Sequence, residues 1–391
     1  MLNTSLSPWP SFTQEEADAV SKVLLSNKVN YWTGTECREF EKEFAAFVGT
    51  QYAVALSNGT LALDVALKAM GIGQGDDVIV TSRTFLASAS CIVTAGANPV
   101  FADVDLNSQN ISAETIKAAL TPNTKAVIVV HLAGMPAEMD GIMDLAKEHD
   151  LWVIEDCAQA HGAKYKGKSV GSIGHVGAWS FCQDKIMTTG GEGGMVTTND
   201  KELWSKMWSY KDHGKSYDAV YHREHAPGFR WLHESFGTNW RMMEMQAVIG
   251  RIQLKRMPEW TARRQAHAAK LAESLGKFAS IRLIEVADYI EHAQYKFYAF
   301  VKPEHLKEGW TRDRIVNELN ARKVPCYQGS CSEVYLEKAF DNTPWRPKER
   351  LKNAVELGDT SLMFLVHPTL TDDEIAFCKE HIEAVLAEAT A

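Results

Sequence analysis

Three polar residues between positions 154 and 194 could together carry out chemistry on an amine. Asp156 ends an apolar run, Gln159 follows three residues later, and Lys185 precedes a glycine-rich turn at 190–194. A lysine amine that becomes neutral, in a desolvated pocket or near other positive charge, can form an imine. A carboxylate can pair with a protonated pyridine nitrogen and so keep such a ring an electron sink. The stretch therefore predicts a pyridine-type cofactor held by Lys185.

Each of these residues also has a plain structural explanation. Most lysines lie on the surface, Asp156 could cap a helix, and Gln159 could be a solvated amide. The expected position of Asp156 favours the functional interpretation, because open α/β sheets bind ligands at the C-terminal ends of their strands. Lys185 lies between a short predicted strand and a glycine turn, where backbone can approach a ligand closely.

A phosphate group on such a cofactor needs its own cradle. Residues 57–60, Ser-Asn-Gly-Thr, form a predicted strand-to-helix turn, so Gly59 and Thr60 would present N–H groups and a hydroxyl at a helix N-terminus. No Gly-Lys-Ser/Thr follows, which excludes a Walker loop. Ser180 could add a second hydroxyl. Phe85 could stack on a cofactor ring, and packing at a helix start explains it equally well.

The elements needed to position these residues alternate between strand and helix. Five apolar runs are predicted as strands, with helices between them: strands 52–56, 77–81, 99–104, 125–130 and 151–155, and helices 60–70, 85–95, 112–120 and 139–149. Near-continuous apolar strands separated by helices indicate a mostly parallel sheet covered on both faces. Two further short strands, 178–181 and 195–198, flank the lysine loop. The fold class is therefore α/β.

The rest of the chain predicts a smaller α+β domain. The remaining helices are expected at 13–26, 36–48, 203–210, 239–275, 312–322 and 372–387, and the remaining strands at 281–289, 295–301 and 324–327. The helix that continues past Pro258 would join the two domains. We place the boundary at 1–255 and 256–391, with packing of the first helix on the smaller domain left open. Residues 213–236 are predicted to form a long irregular segment, which in compact enzymes is often functional.

Composition limits the classes of function. The 391 residues are 45% hydrophobic and 23% charged, as in a globular enzyme, and the net charge of −9 argues against a nucleic-acid partner. The apolar runs are too short to span a bilayer and no signal peptide is expected, so we expect a cytoplasmic protein without a membrane partner. Seven scattered cysteines without a C-x-x-C pair indicate reduced thiols, neither a disulfide framework nor a zinc site. No metal is expected.

Four motifs occur here in a specific order: Ser-Asn-Gly-Thr at 57–60, Glu-Asp-Cys-Ala-Gln-Ala-His-Gly at 155–162, Ser-Phe-x-x-x-Lys at 180–185, and Gly-Thr-Asn-Trp-Arg-Met at 237–242. In this order they resemble the sugar aminotransferases of the DegT/StrS family. The resemblance covers most of the chain and is strongest from 32 to 264. It implies the aspartate-aminotransferase fold (fold type I), pyridoxal 5'-phosphate as cofactor, and catalytic transamination.

Carried over residue by residue, the resemblance assigns the ring end of the site. Lys185 would hold the cofactor as an imine and then shuttle protons between cofactor and substrate carbons. Asp156 would pair with the pyridine nitrogen, and Gln159 would lie near the ring hydroxyl. Phe85 would stack on the ring, where the family often has another aromatic residue. A branch of the family that removes a sugar hydroxyl has histidine in place of the lysine, which argues against that branch here.

The resemblance also assigns the phosphate end and weaker substrate contacts. Gly59, Thr60 and Ser180 would hold the phosphate, with Leu61 contributing only its backbone. Asn239 would reach the phosphate of a neighbouring subunit's cofactor, which implies a homodimer with shared active sites.

Two substrate contacts carry less support. Arg241 could contact a substrate carboxylate. His161 is a pocket residue in many relatives, although a buried structural histidine is the commoner outcome. The run Cys182-Gln183-Asp184 departs from the usual family pattern and leaves the roles of these side chains open.

The resemblance implies transfer of an amine from L-glutamate, which leaves as 2-oxoglutarate, to a carbonyl sugar. The run at 233–242 is most similar to enzymes that convert 8-oxo-3-deoxy-manno-octulosonate to 8-amino-3,8-dideoxy-manno-octulosonate for lipopolysaccharide. A nucleotide-linked 4-keto-6-deoxyhexose is the main alternative, and a catalytically silent protein that binds the cofactor and acts in regulation is another. The basic residues Lys211, Lys215, Arg223, Arg230 and Arg241 suit either a carboxylate or a diphosphate.

Overall fold

The computed structural model describes residues 6–391 and confirms an α/β fold. Its strands, in chain order, are β1 Tyr52–Leu56, β2 Asp77–Thr81, β3 Asn98–Ala102, β4 Thr124–Val130, β5 Trp152–Asp156, β6 Lys164–Tyr165, β7 Lys168–Ser169, β8 Val176–Ser180, β9 Gly194–Thr198, β10 Ile281–Leu283, β11 Ile290–Glu291, β12 Phe297–Val301, β13 Cys326–Tyr327 and β14 Ser361–Phe364.

The strands form three sheets. Seven strands make the main sheet in the order β1-β9-β8-β5-β4-β2-β3, and β9 runs antiparallel to the other six. Four strands make an antiparallel sheet in the order β10-β12-β14-β13, and β11, β6 and β7 make a small third sheet. The mostly parallel sheet predicted from the apolar runs is therefore confirmed.

The helices cover these sheets. In chain order they are α1 Gln14–Leu25, α2 Glu36–Val48, α3 Gly59–Ala69, α4 Ala87–Thr94, α5 Ala113–Ala119, α6 Met139–Glu148, α7 Lys201–Lys211, α8 Tyr217–Tyr221, α9 Glu244–Leu275, α10 Arg312–Ala321, α11 Lys352–Thr360 and α12 Asp372–Ala389. A capping box of Thr13 and Glu16 starts α1. Gly49 ends α2 with a positive φ of 80°, a conformation that glycine adopts without strain.

Helix α9 connects the two main cores. Its first half packs into the core around the main sheet through residues such as Leu254 and Met257, and its second half into the core of the four-stranded sheet through Leu271 and Leu275. The helix passes through Pro258 without a break. The proposed domain boundary at 255/256 thus falls inside one helix and stays a prediction.

The first helix lies against this same connecting helix. Glu16 in α1 accepts a hydrogen bond from Gln253 Nε2 at 3.0 Å and lies 3.2 Å from Arg256 Nη1. Both partners belong to α9, near the proposed domain boundary. Helix α1 is therefore fixed to α9, at the point where the helix leaves the larger core.

Two predictions for the C-terminal part need correction. The strand expected over 281–289 is strand only at Ile281–Leu283, because the backbone N–H and C=O of Glu285 pair with the side chain of Asn107 and leave the sheet. Helix α11 and strand β14 were not predicted, although β14 lies inside the four-stranded sheet. Strand β14 begins directly after α11, so no turn marks its start. None of the helices in residues 6–391 is long and apolar enough to cross a membrane.

Candidate active site

The candidate site lies at the edge of the main sheet where β5 and β8 end. These strands are parallel neighbours, so their last residues, Asp156 and Ser180, come to the same edge. The turn after β1 reaches the same place, because β1 and β8 both pair with β9. Ligands bind at this edge in open α/β sheets. Residues about a hundred positions apart in the sequence are thereby brought together.

A phosphate-sized cradle lies at the start of α3. Asn58 caps the helix by accepting a hydrogen bond from Leu61 N at 3.0 Å. The N–H groups of Gly59 and Thr60 begin the helix, and no acceptor within residues 6–391 pairs with them. A Cβ atom at Gly59 would lie 2.5 Å from the Cβ of Ser180, so only glycine lets these two segments approach so closely. The cradle therefore combines free N–H groups with the Ser180 hydroxyl.

The carboxylate of Asp156 is buried and oriented by two donors. Ser88 Oγ donates to Oδ2 at 2.8 Å, and the backbone N–H of Ala158 donates to Oδ1 at 3.1 Å. Ser88 lies in α4, the helix that follows Phe85. Phe85 itself is 70% exposed. Its ring is therefore free to cover a ligand on the Asp156 side of the site.

Gln159 is held by a single hydrogen bond to the backbone. Its Oε1 accepts from the N–H of Ala133 at 2.7 Å, so the oxygen is committed to the protein and the NH2 group can donate to a ligand. Ala133 has a positive φ of 57°, and the adjoining glycine packs against the carbonyl of Gln159. This strained turn fixes the amide next to Asp156.

The backbone of Lys185 is held by a segment from the beginning of the chain. The indole Nε1–H of Trp9 donates to the carbonyl oxygen of Lys185 at 2.8 Å. We call residues 7–10 the N-terminal strap. In this strap, the backbone N–H and the hydroxyl of Ser7 both donate to Glu374 Oε1, at 2.6 Å and 3.0 Å. The hydroxyl of Thr369 donates to the carbonyl of Pro8 at 2.8 Å. The loop that carries Lys185 is therefore tied to the C-terminal region through one tryptophan.

The side chain of Asp184, whose role the sequence left open, accepts a hydrogen bond from Tyr295. The two oxygens are 2.5 Å apart, and the Lys185 ammonium lies 5.4 Å from the centre of the Tyr295 ring. Partial desolvation raises the pKa of Asp184, but the Lys185 ammonium and the Tyr295 hydroxyl outweigh it, and the pKa lies below its ordinary value. Asp184 is therefore a carboxylate beside the lysine.

His161 is fully buried among Phe44, Trp179 and Phe181. Burial, together with the nearby Lys185 charge, lowers its pKa to about 3, so the ring is neutral. The structure thus places His161 in this aromatic cluster, and its role at the site stays a prediction.

Arg241 and Asn239 lie in a segment that runs beside the phosphate cradle. The carbonyl of Arg241 accepts from Ser57 Oγ at 3.1 Å, and its guanidinium is paired with the buried carboxylate of Asp212 at 2.9 Å. Asp212 also pairs with Lys215. The charge of Arg241 is therefore already balanced by a carboxylate of the protein. The Asn239 side chain is exposed, with a long contact of 3.5 Å to Arg241 N.

Glu155, which precedes Asp156, holds the loop behind the site. His131 Nδ1 accepts from Ala137 N, so its Nε2 carries the proton and donates to Glu155 at 2.9 Å. Three backbone N–H groups, at 171, 173 and 174, also donate to the carboxylate. Glu155 and His131 approach Cys157 closely enough for a metal ion, but these donors already satisfy the carboxylate.

Replacing Glu155 with glutamine is expected to destabilise the fold by about 3–5 kcal/mol, because a buried acceptor that serves four donors becomes partly a donor. Urea unfolding at neutral pH measures this, and Glu148→Gln on the surface of α6 should change stability by less than about 0.5 kcal/mol. An equal loss in both variants would contradict the role of Glu155.

The same substitution also predicts a pH dependence. Burial raises the pKa of Glu155, but the His131 and backbone hydrogen bonds lower it overall. A lowered pKa means that the stabilisation is complete above the ordinary glutamate pKa, about 4.3, and is lost as the pH falls through the folded value. The stability difference between wild type and Glu155→Gln should therefore shrink in acid.

Several residues at the site carried no sequence signal. Ser88 lies in a run of small residues, and Trp9 and Tyr295 are separated from their partners near Lys185 by 176 and 111 positions. Lys296 follows Tyr295 in a segment predicted only as a strand. Buried aromatic residues are common in cores, so spacing alone could not select Trp9 and Tyr295.

Comparisons with known proteins agree with this geometry. The family model described as the DegT/DnrJ/EryC1/StrS aminotransferase family matches residues 10–383. A UDP-N-acetyl-3-dehydro-alpha-D-glucosamine 3-aminotransferase from Acidithiobacillus ferrooxidans is 42% identical over 91% of this chain and 90% of its own.

Solved structures extend the likeness to the whole fold. The crystal structure of an aminotransferase from Psychrobacter cryohalolentis is 65% identical, with a TM-score of 0.96 over 98% of this chain and 99% of its own. DesV of Streptomyces venezuelae, solved in complex with a ketimine intermediate, is 31% identical, with a TM-score of 0.86 over 95% and 94% of the two chains.

Proposed function

Because the chain belongs to the DegT/DnrJ/EryC1/StrS aminotransferase family, we propose that it transfers the amino group of L-glutamate to 8-oxo-3-deoxy-manno-octulosonate. The product would be 8-amino-3,8-dideoxy-manno-octulosonate, for lipopolysaccharide. The protein is a sugar aminotransferase of fold type I that uses pyridoxal phosphate. The acceptor sugar, the donor and the assembly are the proposed part.

The residues present fit pyridoxal phosphate. The free N–H groups at the start of α3 and the Ser180 hydroxyl suit a phosphate, which favours helix N-termini. The buried carboxylate of Asp156 suits a protonated ring nitrogen, and the NH2 group of Gln159 suits a ring hydroxyl. This convergence of a cradle, a carboxylate and a lysine at one sheet edge is the observation that carries the function.

When bound, pyridoxal phosphate supplies a ring that takes up the electron pair left behind as a proton leaves the amine-bearing carbon. Lys185 would remove that proton as a free amine and would deliver it to the cofactor carbon on the other side of the nitrogen, so that the proton moves between the substrate carbon and the cofactor carbon. Asp156 keeps the ring nitrogen protonated, and Ser88 and Ala158 orient its carboxylate. Gln159 donates to the ring hydroxyl.

The charges around Lys185 favour an acid sugar as acceptor. Lys296 and Arg264 add two cations near the lysine, whereas Asp184 is the acidic group that faces them. A sugar acid brings a carboxylate that would balance this excess, and 8-oxo-3-deoxy-manno-octulosonate is such a sugar. The curated relatives support the alternative, a nucleotide-linked keto sugar, because several are named for such substrates.

The substrate is tested with the purified enzyme in the reverse direction. The amine form of each candidate sugar is incubated with 2-oxoglutarate, and formation of L-glutamate is followed. We expect glutamate from the 8-amino octulosonate. A reaction with a nucleotide-linked 4-amino-6-deoxyhexose and none with the octulosonate would refute the proposed acceptor.

We also propose a homodimer with shared active sites. The exposed side chain of Asn239 and its place beside the phosphate cradle support a contact across a two-fold interface. In that arrangement Asn239 reaches the phosphate of the neighbouring subunit's cofactor. A monomeric enzyme with full activity would exclude this assembly.

A further inference from the structure

Two lysine ammonium groups lie close to the ring of Tyr295. The Nζ atom of Lys185 is 5.4 Å from the ring centre, and that of Lys296 is 4.7 Å from it. The Tyr295 hydroxyl donates to Asp184 at 2.5 Å. Two ammonium groups, one of them catalytic, thus share one aromatic ring and one carboxylate.

A third cation adds to this charge. Arg264 is 1% exposed, and its Nη1 donates to the carbonyl of Tyr295 at 3.4 Å. Within residues 6–391, its Nε and Nη2 have no hydrogen-bond partner. Three cations therefore surround Tyr295, and Asp184 supplies one negative charge against them. A partly buried group of this kind is stabilised when it receives an anion.

Lys296 is the solvent-accessible cation of this group, and it has no role in holding the cofactor or the fold. Lys185 is committed to the cofactor, and Arg264 is closed off from solvent. The Lys296 ammonium makes neither a hydrogen bond nor an ion pair with residues 6–391, although its side chain is partly exposed. Desolvation, then the charges of Arg264 and Lys185, lower its pKa to about 8 against the opposing effect of Asp184.

We propose that Lys296 binds a substrate carboxylate beside Lys185. The phosphate of the cofactor has its own cradle at Gly59 and Ser180, so it does not need this cation. The remaining anion that both substrates carry, if the proposed function holds, is a carboxylate: the donor L-glutamate has two and the acid sugar has one. Lys296 is then a specificity-determining residue, and an ammonium–carboxylate pair is a strong, charge-assisted contact.

Two variants and one control test this contact. Lys296→Met removes the charge at nearly equal length, and Lys296→Arg keeps it. Lys302→Met, at the other end of β12, is the matched control. The variants are loaded with cofactor, and bound cofactor is measured by its visible absorbance. Single-turnover rates are then measured separately with L-glutamate and with the acid sugar, and calorimetry gives the dissociation constants of 2-oxoglutarate and 3-deoxy-manno-octulosonate.

We expect Lys296→Met to retain its cofactor and to bind the carboxylate ligand about 10- to 100-fold more weakly, the size of one lost charged hydrogen bond. Lys296→Arg should recover most of the affinity, and Lys302→Met should behave as wild type. Weaker binding of 2-oxoglutarate assigns the contact to the donor, and weaker binding of the octulosonate assigns it to the sugar. If Lys296→Met does not fold, Lys296→Gln takes its place in the same measurements.

Unchanged affinity for both ligands in Lys296→Met would overturn the assignment. Loss of bound cofactor in Lys296→Met but not in Lys302→Met would overturn it as well, because Lys296 would then serve the cofactor.

Failure of the proposed function gives a different result. A wild-type enzyme that reacts with L-glutamate but not with the acid sugar refutes the acid sugar as the acceptor. The 2-oxoglutarate measurement still decides the role of Lys296 in that case.

Discussion

Replacing Lys185 with alanine is expected to reduce amine transfer by at least about 10⁴-fold, since general acid–base catalysis by a positioned group contributes up to that factor. The covalent attachment of the cofactor is lost at the same time. The backbone carbonyl of Lys185 keeps its bond to Trp9 in this variant, so the loop should retain its conformation. Steady-state assays and the visible spectrum of bound cofactor measure both effects.

Lys125→Ala is the matched control, because Lys125 is an exposed lysine on β4. It should leave both the rate and the spectrum unchanged. A Lys185→Ala enzyme that shows the wild-type spectrum and more than a few per cent of wild-type activity would refute the catalytic assignment.

The Lys185→Ala variant also tests the proposed dimer. When it is mixed with an inactive Asn239→Ala chain, activity should return if the active sites are shared between subunits. No activity should return if each chain is self-sufficient.

Replacing Asp156 with asparagine is expected to reduce the rate of the L-glutamate half-reaction by about 10²- to 10³-fold, the usual effect of removing one preorganised electrostatic contact. Asparagine keeps the shape of the side chain, and its amide can still pair with Ser88. What disappears is the negative charge that holds a proton on the ring nitrogen. Single-turnover absorbance changes after addition of L-glutamate measure this rate directly.

Ser88→Ala supplies a graded comparison for Asp156→Asn. It leaves the charge of Asp156 in place but removes the donor to Oδ2, so the expected reduction is about 3- to 10-fold, in line with the loss of one hydrogen bond. An Asp156→Asn enzyme as fast as Ser88→Ala would show that the charge contributes little. Thermal unfolding of both variants shows whether any slow rate reflects a damaged fold.

The large sheet could be predicted because its signals are local. Buried parallel strands such as β4 and β5 are nearly continuous apolar runs, and the helix between them, α6, has a 3.6-residue period. Strand β14 was not predicted, because it begins directly after helix α11 with no turn residues between the two elements. The segment after β10 was wrongly predicted as strand. The backbone groups of Glu285 form hydrogen bonds with the side chain of Asn107, a partner 178 positions away.

The residues of the site fall into two kinds. Gly59 and Ser180 belong to motifs at the ends of strands. These strand ends lie at the same edge of the sheet, so the fold brings the two residues into contact. The contacts that orient the site are of another kind: Ser88 meets Asp156 across 68 positions and Tyr295 meets Asp184 across 111. No periodicity or spacing encodes such pairs, because they follow from tertiary packing alone.

The N-terminal strap has a consequence for biosynthesis. Trp9 holds the carbonyl of Lys185, and its own segment is anchored on Glu374, 367 positions after Ser7. On the ribosome, the motif residues from Gly59 to Arg241 emerge long before that anchor exists. A nascent or truncated chain that lacks the anchor therefore carries all of the proposed cofactor contacts while its lysine loop is still unsecured. Catalytic competence should accordingly arrive only after Glu374 has been translated and has bound the strap.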